Sequence, residues 1–191
     1  MHALALTLLL TLGADEQELL SGPPKRFQAT HPVPAWAPRT VSLGLTSREG
    51  MWSFQARLGW EAAFYERNGH DLVLTVHLGT GLALATPTGM TAHYQHVALA
   101  GFGYRKVSKL LNWGFHWGLG IDWYRAAYDV APLESRVVAY TEGKGQIGLR
   151  VLQNLVVGAW FGYGSPVTFD ARYPGQTYCG GLMFGLYADW R

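Results

Sequence analysis

Charge is what this chain has least of. Asp, Glu, Lys and Arg together make up 15% of its 191 residues, against about 25% in an ordinary soluble domain. The net charge of +2 comes with no Lys/Arg-rich run, so nothing tracks a phosphate backbone and nucleic acid is excluded as a partner. Cys179 is the single cysteine; it has no internal disulfide partner and makes no metal site alone. Long apolar runs are missing as well. None reaches the roughly 18 residues that a membrane-spanning helix requires.

The one apolar run of note is Ala3 to Leu12, ending in Gly13-Ala14 before Asp15-Glu16. It reads as the hydrophobic region of a secretory signal covering 1–14, with an amphipathic N-terminal helix as the other reading. Residues 15–39 hold Pro23, Pro24, Pro32, Pro34 and Pro38, five of the nine prolines, and read as a Pro-rich extension. The remaining 40–191 forms one domain.

What the chain has in quantity is apolar, aromatic and glycine residues: 49% hydrophobic, 14% aromatic and 24 glycines. Mean hydropathy is nevertheless +0.03, so something regularly spaced dilutes the apolar side chains. From Thr40 onward the period is two. Leu111, Trp113, Phe115, Trp117, Leu119, Ile121 and Trp123 alternate with Asn112, Gly114, His116, Gly118, Gly120, Asp122 and Tyr124. A helix would smear both sets around its axis, whereas a strand sends them to opposite faces. The same alternation runs through 54–65, 72–84, 146–151, 155–164 and 178–190. Short strands at Thr40–Ser47 and His93–Lys106 bring the number to eight. On the fourth, Val97 and Leu99 share a phase with Gln95 and Arg105, so keeping apolar residues outward there requires a bulge. Connections around 86–91, 126–134 and 165–176 are longer than the tight turns at 67–70, 107–110 and 153–154.

The polar residues share their face with glycine, and the opposite face is bulky and uncharged over long stretches. A soluble barrel points its bulk inward; this pattern points it outward, which only lipid accepts. Trp52, Phe64, Tyr65, Tyr104, Trp113, Trp123, Tyr124, Tyr163, Tyr178 and Trp190 are candidates for interfacial aromatic girdles. The expected fold is all-β, an eight-stranded antiparallel up-and-down transmembrane β-barrel. Over about residues 40–190, including the aromatic C-terminal strand Phe184–Trp190, the pattern resembles the small OmpA/OmpX-type barrels of Gram-negative outer membranes. That resemblance implies membrane lipid, lipopolysaccharide and the outer-membrane assembly machinery as partners.

Candidate chemistry is sparse. Gly-x-Gly pairs at 79/81, 101/103, 118/120, 143/145 and 162/164 lack the spacing of a dinucleotide loop and read as lumen packing. His93 and His96, three apart, fall on opposite faces of a strand and form no metal pair. The lipid A deacylase family, also built on eight strands, carries a His-x-Ser motif; no serine stands two residues after a histidine here. The inward residues Arg57, Glu61, His77, His116, Asp122, Glu142, Lys144 and Arg150 form a candidate lumen network. Glu61 with His77, and Asp122 with Lys144, are the expected neighbours, because a lumen charge needs a partner or water. The functional expectation is an integral outer-membrane protein of structural or surface-interaction type, without cofactor or metal. A lipid-modifying enzyme and a soluble ligand-binding barrel are the alternatives.

Overall fold

The computed structural model describes residues 37–190; the signal segment, nearly all of the Pro-rich extension, and Arg191 lie outside the described residues. Eight antiparallel strands follow one another around a closed barrel, β1 pairing with β8. They are β1 (Thr40–Arg48), β2 (Met51–Arg67), β3 (His70–Ala85), β4 (Met90–Val107), β5 (Leu111–Tyr128), β6 (Glu134–Leu152), β7 (Leu155–Pro166) and β8 (Gly181–Trp190). The start of β1 and the end of β8 share a rim with the β2–β3, β4–β5 and β6–β7 turns. Two hairpins use left-handed pairs, Glu49-Gly50 with φ 48° and 81°, and Asn68-Gly69 with φ 51° and 76°. Such turns match the twist of the strands they join.

Burial is inverted relative to a soluble barrel. Leu74, Val76, Leu78, Phe102, Phe115, Phe161, Leu182 and Leu186 are exposed, while Arg57, Asp122, Glu142 and Lys144 are at most 5% exposed. A wall of this kind is stable only where the surroundings are as apolar as the side chains.

The interior is fuller than a glycine-lined lumen. Trp160, Tyr187, Met183 and Val156 pack at one place, Val97, Leu99 and Tyr140 at another, and Met51, Met90, Tyr124, Ala126 and Cys179 below the loops. Inward glycines are the clearance for these bulky groups. A Cβ on Gly164 would stand 1.9 Å from the Tyr140 hydroxyl, and one on Gly44 would stand 2.6 Å from the Trp160 ring.

Three expectations change. No bulge interrupts β4 between Ala92 and Val107; Val97 and Leu99 turn inward and are buried against Tyr140. Gly143 and Gly145 lie on the outer face, where the rings of Phe115 and Phe161 cover them, so that pair does not serve lumen packing. Tyr124 is fully buried inside, and Tyr178 belongs to a short 3-10 turn (Pro174–Tyr178) rather than to β8. Neither is a girdle residue.

Candidate functional site

The strands bring the inward polar residues into three levels along the axis. Nearest the turn rim, Arg105 on β4 donates from Nε to Asp71 Oδ2 at 2.8 Å and from Nη1 to Glu61 Oε2 at 2.7 Å. His116 Nε2 stands 3.9 Å from the other Glu61 oxygen. Its ring meets that of His77 edge-on, with centroids 6.0 Å apart. Arg150 is half-buried towards the same rim.

At mid-height, Arg57 on β2 reaches across the lumen to an ion pair with Glu142 on β6. Gln55 Oε1 accepts from Arg57 Nη2 at 2.7 Å, and the guanidinium lies 5.7 Å from the Trp160 ring. Lys144 Nζ stands 6.0 Å from the same ring. Two cations thus lie near one indole ring, with the Glu142 carboxylate on Arg57.

The loop-side level is closed by the chain itself. The β7–β8 connection folds into the mouth with Gly175, Gln176 and Cys179 buried. Glu134 Oε2 accepts from the Gly175 amide at 3.1 Å and from the Tyr128 hydroxyl at 3.0 Å. His93 Nε2 donates to the Gly175 carbonyl at 3.2 Å, and Arg48 Nη1 to the Cys179 carbonyl at 2.8 Å. Burial raises the Cys179 thiol well above its usual range, Asp122 adding to the shift, so it stays a protonated thiol. Outside, Arg172 hydrogen-bonds Asp170 and lowers that carboxyl to about 2.

Glu61 therefore takes its charge partner from Arg105, not His77. Lys144 stands opposite His116 in register, whereas Asp122 stands opposite Val138. Asp122 has no ion pair among the described residues and lies beside Cys179. Sequence reasoning missed Gln55, Asp71, Gln95, Arg105 and Gln146 as buried lumen residues. The signal was present, since each shares the inward phase of its strand. Among the described residues no group of three or more His, Cys, Asp or Glu side chains is placed to hold a metal. His93 is buried and His96 exposed.

No protein-family model matches the chain, and no curated protein matches it in sequence. Solved structures do match in shape. The outer membrane enzyme PagL superposes with a TM-score of 0.53 at 12% identity, covering 80% of this chain and 99% of that one. Ail, the attachment invasion locus protein of Yersinia pestis, gives 0.45 at 10% identity, over 81% of this chain and 98% of its own. Ail in complex with the heparin analogue sucrose octasulfate gives 0.42 at 10% identity, over 79% and 94%. At such identities the likeness to PagL is one of fold.

Proposed function

We propose that this is an integral outer-membrane protein of a Gram-negative bacterium whose lumen is sealed and whose work is done on its outer surface. The inverted burial supports the membrane: half-exposed Leu, Val and Phe cover the wall while ion pairs fill the interior. The Arg57–Glu142 and Arg105–Glu61–Asp71 groups, with Trp160 and the folded-in β7–β8 connection, support a closed lumen. Surface contact then falls to the outer wall and the loops, with outer-leaflet lipid and lipopolysaccharide as the first partners. The assembly machinery would read the aromatic β8.

A lipid-modifying enzyme on this fold would need an activated nucleophile on the wall. The outward Ser135 instead accepts a hydrogen bond from the Trp123 indole at 3.1 Å, which does nothing to draw off its proton.

The experiment is cell fractionation followed by gel mobility with and without boiling. The full chain should sediment with the outer membrane, require detergent for release, and migrate faster unboiled. Recovery in the aqueous fraction with one mobility would overturn the reading.

A further inference from the structure

Apart from one residue, the outward-facing wall carries its strand charges at the turn rim, at Arg67 and Lys106. Arg125 on β5 is different. It is exposed near the loop-side end of its strand, directly opposite Tyr94 in register. No hydrogen bond or ion pair engages its guanidinium among the described residues.

Arg125 borders a cleft of about 390 Å³ whose other walls are Tyr94, His96, Trp123, Ala127 and Leu133. The His96 ring stacks on Trp123 with centroids 5.2 Å apart and planes 25° off parallel. The Trp123 indole is held in turn by Ser135. His96 and Arg125 therefore present nitrogen donors to one cleft, in an arrangement suited to an anion with several acceptor oxygens.

Height identifies which anion. Tyr94 and Tyr104 face outward on β4, and ten residues of tilted strand span about the 25 Å of an outer-membrane apolar band. Tyr94 with Trp123 marks the loop-side interface, and Tyr104, packed on Trp113, marks the other. Arg125 is thus at head-group level, on the side where long loops face the exterior.

Below the cleft the wall has a trough. After His96 the outward positions of β4 are Ala98 and Ala100, and Phe102 against Trp117 closes the lower end. Leu78 and Val76 on β3 stand opposite the two alanines on one side, Ile121 and Leu119 on β5 on the other. All four are about half exposed. Two small residues between rows of large ones leave a channel about 20 Å long from His96 to Phe102, the length of an acyl chain.

We infer that this cleft and trough hold one phosphorylated lipid of the outer leaflet, its phosphate on Arg125 and His96 and one acyl chain over Ala98 and Ala100. The inference rests on the membrane reading above and deepens it by naming the lipid-facing site.

The test is native mass spectrometry of the full chain in detergent. The probes are bis-phosphorylated lipid A, the same lipid dephosphorylated, and inorganic phosphate. The unaltered chain should retain the phosphorylated lipid about tenfold better than the dephosphorylated one, the factor of one charge-assisted contact. Arg125→Glu should abolish that preference. Ala100→Phe should weaken retention of both lipids by filling the trough. Equal retention of the two lipids by the unaltered chain overturns the site, a comparison that needs no variant to fold. An unchanged preference in Arg125→Glu, or inorganic phosphate displacing the lipid mole for mole, overturns it too. Heat-dependent mobility of each sample reports insertion separately, so a failed site and a failed membrane reading are distinguishable.

Discussion

Arg57 shows how much a single lumen residue carries. Its guanidinium meets Glu142, Gln55, the Met183 sulfur and the Trp160 ring, and among the described residues no other cation stands at ion-pair distance from Glu142. Removing one partner of a buried pair strands the other charge, at about 3–5 kcal/mol. Arg57→Ala should therefore lower the urea midpoint of vesicle-folded protein strongly. Glu142→Gln, which keeps an acceptor for the guanidinium, should lower it less. A midpoint for Arg57→Ala equal to that of the unaltered protein would show the pair to be ornamental. That Arg57 faces inward was legible from its alternation with Leu58. Its partner was not, because β2 and β6 are not neighbours in the sheet and 85 residues separate the pair.

At the scale of the strand, the two faces obey different rules. On the outer face of β3, Leu78 stands between Leu58 on β2 and Ala98 on β4, near the middle of the apolar band. Leu78→Arg places a charge in hydrocarbon and should cost about 2–4 kcal/mol, read as reduced folding yield into vesicles; normal yield would mean the faces are reversed. On the inner face hydrophobicity does not decide position. Val97 and Leu99 follow the phase of Gln95 and Arg105 because the ladder to β3 and β5 stays in register through them. Breaking that ladder would leave backbone groups unpaired in lipid. An alternation rule based on hydrophobicity alone invents a bulge there; hydrogen-bond continuity removes it.

For the whole molecule, the consequence of three filled levels is closure. Reconstituted protein should show negligible conductance in planar bilayers, and steady single-channel currents would make it a small pore instead. Charge poverty, period-two alternation and the placement of glycine opposite bulky residues determined the barrel, its strand number and its inverted polarity. Those follow from local chemistry: a strand alternates its faces whatever it pairs with, and lipid accepts only the uncharged one. Tertiary structure alone decided who meets whom inside. Glu61 found Arg105 rather than His77, Asp122 came to lie by Cys179 rather than by Lys144, and Tyr124 went under the β7–β8 connection instead of into a girdle. Closing the ring sets the height of every residue against strands that are not its sequence neighbours, and an inward side chain reaches across that ring. Its partner depends on barrel stagger and diameter, which no single strand's sequence contains.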